Sequence, residues 1–471
     1  MIFSTTLFVF LFLPIFLLFY YLIPFRFRSY WILTASFVFY GWWRMDFLFL
    51  LASVTVWTYG SGKGIAANTE INPKRARGFL IAGVALNLSV LAYFKYFNFG
   101  VRTLNSIIQA AGGKGFNAWE VILPIGISFY LFQAISYLVD VYRKDAFPAT
   151  RYIDLAAYIS LFPQLIAGPI LRYKDIAPQL KKREHSFEQF SAGALRFMLG
   201  FSKKVLIADS NGIIADLMFG LDTPTLAESW IGVLAFTAQI YFDFSGYSDM
   251  AIGLGRMMGF RFKENFDRPY ISRSITEFWR RWHISLSSWL RDYLYIPLGG
   301  NRKGVTRTYI NLMIVMFLGG LWHGAAWTFV VWGAWHGILL AGERYIRNRR
   351  GQTEERSIFS IFPTMFLVIT GWVLFRADDF TNALSVLKGM AGLQGIGISS
   401  FVLWQLPMTD LFTLLVAMVL VFIPLLIKER PYFFAVNAGF KPAHGAMFLF
   451  FLLSIIRLSS EAYSPFLYFR F

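Results

Sequence analysis

The sequence predicts an all-α polytopic membrane protein, and three observations carry that prediction. Of 471 residues, 56% are apolar and 19% aromatic while only 15% are charged; soluble domains hold about 45–50% apolar and about 25% charged residues. With 52 Phe, 15 Trp and 23 Tyr, the chain carries more apolar surface than one water-soluble core buries. The apolar residues also fall in long runs, several reaching the roughly 20 residues a helix needs to cross hydrocarbon. The same composition excludes a disordered, fibrous or nucleic-acid-binding chain. The formal charge of +17 then belongs to loops facing anionic lipid. Cysteine is absent, which removes disulfides, thiolate metal ligands, palmitoylation and any acyl-cysteine intermediate.

The first run, about 8–23, has no basic stretch before it and no small-residue cleavage site after it, so it is a span rather than a signal peptide. Further runs fall at about 30–43, 46–61, 78–97, 118–141, 152–171, 191–218, 229–256, 307–321, 325–343, 358–375, 408–427 and 443–459. Those at about 30–43 and 152–171 are short or interrupted by proline and are expected to be broken, tilted or re-entrant. About eleven or twelve spans are expected in all. Arg26 and Arg28, then Lys63, Lys74, Arg75 and Arg77, then Arg143, Lys144 and Arg151 follow the first, third and fifth spans. The loops between them carry fewer positive charges, and Arg344, Arg347, Arg349, Arg350, Lys428 and Arg430 continue the alternation. By the positive-inside rule, the N-terminus faces outward and the basic loops face the cytoplasm. No repeat or linker divides the chain, so residues 1–471 are expected to form one membrane domain.

One stretch, 257–306, breaks the pattern: it is too charged to span, yet rich in aromatics. Ser274 with Glu277 forms a capping-box signature. From there Phe278, Trp279, Trp282, Leu286, Trp289 and Leu290 recur along one face of a helix, with Arg280, Ser287 and Arg291 elsewhere. Such an amphipathic helix lies at the interface or packs against the spans. It is either a surface anchor without chemistry or, through His283 on its Trp-rich side, part of a polar site. Just upstream, Asp243 and Asp249 lie inside an apolar span, where ionisable groups face a cavity or pair with a cation. The structural reading pairs one of them with an arginine of 261–307; the other reading is acid–base chemistry.

A second histidine, His323, follows in GGLWHGAAWTF, where Gly320 and Gly324 flank the Leu-Trp-His step and permit a turn or a close backbone approach. That places His323 at a helix end at membrane depth, among tryptophans. Of the other histidines, His336 is expected to pack or hydrogen-bond, His185 to be solvated and His444 to sit at the interface. None shows close metal-ligand spacing, so no metal site is expected. A neutral imidazole suits general-base activation of an alcohol attacking an acyl carbonyl. A second histidine can hold the oxyanion or set a tautomer. No Gly-x-Ser-x-Gly or phosphate-cradling loop is present. From residues alone, acyl transfer and a proton or substrate relay both remain open.

The run YFDFSGYSDMAIGLGRMMGFRFKENFDRPYISRSITEFWRRWHISLSSWLRDYLYIPLGGNRKG, followed by LWHGAAWTFVVWGAWHG, resembles the membrane-bound O-acyltransferase (MBOAT) family, and within it the bacterial alginate O-acetyltransferase branch. VFYGWWRMDF, PIGISFYLFQAISYLVDVYR, FPQLIAGPILRY, GWVLFRADDF and SPFLYFRF agree, so the resemblance covers essentially the whole chain. It implies a bundle with peripheral helices around a funnel through the membrane. His323 matches the family's essential histidine and His283 the second histidine of the branch. Asp243, Asp249, Trp279, Trp282, Trp322, Glu277 and Arg280 are then candidates to line or brace the funnel. The resemblance implies no bound cofactor but an acyl thioester co-substrate on the cytoplasmic side, acetyl-CoA or an acetylated acyl carrier protein. The acetyl group is expected to reach hydroxyls of an exported polysaccharide such as alginate at the bacterial inner membrane. It travels directly or through a periplasmic acetyltransferase of the AlgJ or AlgX kind. A D-alanyl transferase of the DltB kind, and acetylation of peptidoglycan or cellulose, are the alternatives. One tension stands. A plain helical hairpin puts His323 at the outer turn, far from the cytoplasmic segment carrying His283. Either the run at about 307–321 is short, broken or re-entrant, or the basic segment dips into the membrane.

Overall fold

The computed structural model describes residues 1–350, 357–426, 442–460 and Leu467. Among the described residues every extended regular element is a helix. Four helices are long and apolar enough to cross a membrane: Pro73–Ala110, Val305–His323, Ile358–Arg376 and Met408–Leu425. Phe8–Leu22, Ile127–Tyr142 and His444–Ser460 are apolar but shorter. The chain divides into two compact units, residues 1–191 with 254–263, and residues 192–253 with 264–471.

The first unit is organised around Ile127–Tyr142, a helix buried along nearly its whole length. It starts at Gly126, whose φ of 75° requires glycine and whose Cβ would lie 2.5 Å from the Leu165 carbonyl oxygen. The expected run at 118–141 is therefore helical only in its second half. Met45–Asn68 and Pro73–Leu91 pack on this helix. Gly62 faces Tyr137, and Gly83 faces Leu138 and Ser61, with no room for a Cβ. The run at 152–171 is broken as expected, into Tyr152–Ile159 and Phe162–Leu165. Phe162 then plugs a cluster of Phe3, Phe8, Phe12, Phe16 and Phe39, edge-on to Phe16 at 4.9 Å. Arg28–Gly41 has 14 residues, about 21 Å of helix, shorter than the roughly 30 Å of bilayer hydrocarbon.

The second unit contains the 32-residue helix Leu226–Met257 up to Gly253. Against it lies most of Phe187–Ser202, which continues through a π-turn, Lys203–Ala208, into Asp209–Phe219. These two helices touch backbone to backbone. A Cβ on Gly200 would stand 2.4 Å from the Gly246 carbonyl oxygen, and one on Gly253 2.6 Å from that of Gly193. Small residues at the seam are the usual device for close packing in lipid, where no hydrophobic drive joins helices. Val305–His323 and Trp327–Arg350 form a hairpin, and Ile361–Arg376 packs on its second arm. Side chains such as Phe362, Phe366, Phe412 and Leu415 are left exposed on these spans, as lipid-facing surface is.

Candidate active site

Ser274 caps Ile275–Arg281 as expected, while the return bond from Glu277 reaches one residue before the cap. Ser274 Oγ accepts the Glu277 N–H at 3.0 Å, and the Glu277 carboxylate accepts the Arg273 N–H at 2.8 Å. The single long amphipathic helix expected beyond it does not form. Trp282 is extended, His283 takes φ 43° and ψ 54°, and a new helix runs Ile284–Leu290. The cause lies upstream in Asn265. Its carbonyl accepts the Ile284 N–H at 2.9 Å. Its side-chain oxygen accepts the Ser285 N–H at 3.1 Å and the Ser285 hydroxyl at 2.8 Å. These bonds satisfy the donors that a continuous helix would otherwise pair. A left-handed non-glycine residue is worth about 1–3 kcal/mol of strain and persists only where its surroundings impose it.

The same asparagine sets the imidazole. His283 Nδ1 lies 3.2 Å from Asn265 Oδ1, an atom fixed as the acceptor by the Ser285 N–H. Asn265 Nδ2 in turn donates to Ser248 Oγ at 3.1 Å. Nδ1 therefore carries the proton and Nε2 the lone pair. Nε2 is buried with no hydrogen-bond partner among the described residues. Burial also pushes the pKa of His283, which lies between the spans, down to about 3, so the ring is neutral.

His323 is the last residue of Val305–His323, and Gly324 leaves the helix in extended backbone. The flanking glycines act as the sequence suggested. A Cβ on Gly320 would meet the Phe329 carbonyl oxygen at 2.2 Å, and one on Gly324 the Phe329 ring at 2.1 Å. Gly333 closes the hairpin from the other arm, against the Met316 carbonyl.

The two histidine rings stand 6.4 Å apart between centroids, at 64°. Trp322 touches both, at 5.9 Å from His283 and 5.0 Å from His323. Phe244 seats His283 at 4.6 Å, while Trp332 and Phe375 flank His323 at 5.1 and 5.4 Å. Both rings are buried, 0% and 4% exposed. The hairpin tension is met by the approach of the two segments themselves. Val305–His323 is unbroken, about 28 Å of helix, and the basic segment reaches its His323 end.

The other candidates divide. Trp282 packs beside the pair, 5.0 Å from both Phe266 and Trp372. Trp279 turns to His336 and Trp332, at 5.2 and 5.8 Å. Glu277 is held by Arg281 at 2.6 Å, and Arg280 is exposed, so neither is brought to the histidines. Asp249 takes Arg196 at 2.7 Å and Lys203 at 2.6 Å, and Asp243 takes Lys204 at 3.1 Å and the Leu467 N–H at 2.8 Å. The cations are thus not the arginines of 261–307 but residues of Phe187–Ser202 and its π-turn. The helix Leu226–Met257 shows one face, Phe244 and Ser248, to the His283 loop and another, Asp243, Gly246 and Asp249, to that neighbour. Sequence reasoning missed Asn265, since a lone asparagine in a charged stretch carries no periodic signal. It also passed over Lys203 and Lys204, whose position inside an apolar run was the available clue. His336 is fully buried, with both ring nitrogens unpartnered among the described residues. No group of three metal-ligating side chains occurs among the described residues.

Residues 147–376 match the MBOAT, membrane-bound O-acyltransferase family. Over the full length of both proteins the chain is 50% identical to Probable alginate O-acetylase AlgI of Pseudomonas putida. The chain belongs to the membrane-bound O-acyltransferase family. This membrane-bound O-acyltransferase is also 37% identical to Peptidoglycan O-acetyltransferase of Helicobacter pylori, across 84% of this chain and 81% of that one. It is 28% identical to Teichoic acid D-alanyltransferase of Bacillus subtilis, across 55% and 70%. It is an acyltransferase and a multi-pass membrane protein, and such an enzyme takes an acyl donor as co-substrate. Membership displaces the relay reading. The matched stretch of this O-acyltransferase holds both histidines, Asn265 and the carboxylate pair.

Proposed function

We propose that this enzyme O-acetylates an exported polysaccharide, alginate, at the bacterial inner membrane, with His323 and His283 as its catalytic pair. The observation that carries the reading is the meeting of two buried imidazoles, 40 residues apart in sequence and 6.4 Å apart in space, one offering an unengaged Nε2. Support for the acetyl group and the polymer comes from the alginate O-acetylases, which the chain matches end to end. The chemistry is direct transfer. A hydroxyl oxygen attacks the thioester carbonyl while His323 takes the hydroxyl proton. The tetrahedral intermediate collapses, the carbon–sulfur bond breaks, and the imidazolium returns the proton to the departing thiolate. His283, with its proton held on Nδ1 by Asn265, presents a lone pair and therefore accepts. It takes a hydrogen bond from a second donor, such as a neighbouring hydroxyl of the acceptor, and does not donate to the oxyanion. The acyl thioester, acetyl-CoA or an acetylated carrier protein, enters from the cytoplasm. The acetyl group leaves on the outer face, to the polymer or to a periplasmic acetyltransferase.

The test is acetyl transfer by the purified protein. With His323→Ala the protein remains in the membrane and transfer from acetyl-CoA to oligomannuronate falls to background. Full activity in that variant overturns the assignment. Transfer of D-alanine from a carrier protein instead, with no acetyl transfer, would move this chain to the teichoic acid reading.

A further inference from the structure

The first unit gathers cations around Tyr20 with no carboxylate to answer them. Arg183 is only 9% exposed. Its Nε donates to Tyr20 Oη at 3.2 Å and its Nη1 to the Gln179 carbonyl at 2.8 Å. Its Nη2 is buried without a hydrogen-bond partner among the described residues. The guanidinium lies over Phe260 at 4.2 Å and beside Phe25 at 5.1 Å. Arg28 stands over the Tyr20 ring at 4.8 Å and donates Nη1 to His185, 3.0 Å from Nε2. His185 Nε2 is also 3.1 Å from Tyr20 Oη, whose own proton goes to the Met258 carbonyl at 2.6 Å. Gly259, at φ 79°, lets the backbone come close to this cluster: a Cβ there would stand 2.7 Å from the Glu184 carbonyl oxygen and 3.2 Å from His185 Nε2.

The acids of neighbouring elements are engaged elsewhere. Asp154 is bound by Arg151 at 2.9 Å and Asp175 by Lys263 at 2.6 Å, and Glu184 is exposed. Among the described residues neither Arg28 nor Arg183 has a carboxylate partner. The field at His185 reflects this: burial first, then the Arg28 and Arg183 charges, hold its pKa below the ordinary histidine range. A buried guanidinium with an unused N–H and no carboxylate in ion-pair contact, Asp154 acting on Arg183 only from a distance, is costly unless an anion comes from outside. The planar fork of arginine fits phosphate oxygens in particular. Arg28 belongs to the first basic loop, which loop charge assigns to the cytoplasmic side, where anionic headgroups and phosphorylated small molecules are both present.

We infer that Arg28 and Arg183 form a binding site for one phosphate group, with Tyr20 and His185 holding the two guanidinium groups in place. The phosphate comes either from an anionic lipid headgroup or from a phosphorylated co-substrate such as coenzyme A. The site shares no residue with the histidine pair and does not depend on the assignment of that pair.

Thermal unfolding of the purified full chain in detergent tests it. Melting is followed in sodium phosphate and in sodium chloride of equal ionic strength, then with phosphatidylglycerol against phosphatidylcholine, and with coenzyme A against its 3′-dephospho form. The expected result is a higher Tm with a phosphate ligand than with its matched control, lost in Arg183→Gln and in Arg28→Gln. Arg28 is only half-buried, so its variant keeps the test open should Arg183→Gln fail to fold. A rise with phosphatidylglycerol alone assigns the headgroup, and a rise with coenzyme A alone assigns the co-substrate. Equal melting in every matched pair, or a rise that survives both arginine variants, overturns the site. His323→Ala retains the rise, so the phosphate site and the catalytic pair stand or fall separately.

Discussion

Asn265 does two things at once: it breaks a helix and it fixes a tautomer. With Asn265→Ala, the Ser285 N–H and His283 Nδ1 lose their acceptor, a loss of about 1–3 kcal/mol for each buried group left unsatisfied. If part of that appears in the barrier, turnover falls by about ten- to a hundredfold. The acyl donor's KM changes little, because no donor contact is removed. Steady-state kinetics on the folded variant checks the split; unchanged turnover would remove Asn265 from the mechanism. At this scale the sequence was only partly legible. The histidines could be singled out because five histidines in an apolar chain are conspicuous and ionisable groups at membrane depth are rarely idle. The left-handed His283 could not, because the bonds that impose it come from a residue 18 positions upstream.

Between elements, the seam of Gly193 and Gly200 against Gly253 and Gly246 sets where the carboxylates meet their cations. Replacing Gly200 or Gly246 by leucine should lower both membrane abundance and Tm in detergent. Leucine at Gly60 or Gly78, where a Cβ meets nothing within 4 Å, should do neither. Equal tolerance at all four positions would contradict the packing described. Asp249→Ala leaves Arg196 and Lys203 without their shared acceptor, and breaking one side of a buried pair typically destabilises by about 3–5 kcal/mol. Glu264, 2.6 Å from Arg196, keeps the loss toward the lower end. Tm in detergent measures it, and a variant as stable as the parent would show the pair to be dispensable. Ser274 and Glu277 were readable as a helix start because capping is local. The cation partners of Asp243 and Asp249 were not, since any of several arginines satisfied the charge argument and only packing chose among them.

For the whole molecule, the charge pattern gives an orientation that the absence of cysteine makes easy to test. In intact cells, a single cysteine at Ile71, beside the basic loop, should resist a membrane-impermeant maleimide. One at Lys114 should react. The reverse pattern would place the N-terminus in the cytoplasm and the basic loops outside. The expected number of spans followed from runs of apolar residues. Yet such runs end up as a whole helix at Val305–His323, a half helix at 118–141 and a broken pair at 152–171. Hydropathy reports the solvent a segment tolerates, and it does not report where Gly126 or Pro163 interrupts the backbone.

By itself the sequence determined the solvent, the helical class, the glycine-flanked exit after His323 and the identity of two histidines worth pairing, because hydropathy, capping and backbone freedom act over a few neighbouring residues. Tertiary structure alone decided that these histidines meet, which nitrogen of His283 holds the proton, and which lysines and arginine neutralise Asp243 and Asp249. Each of those depends on groups brought together across tens of residues by close packing, and short-range pattern carries no record of it.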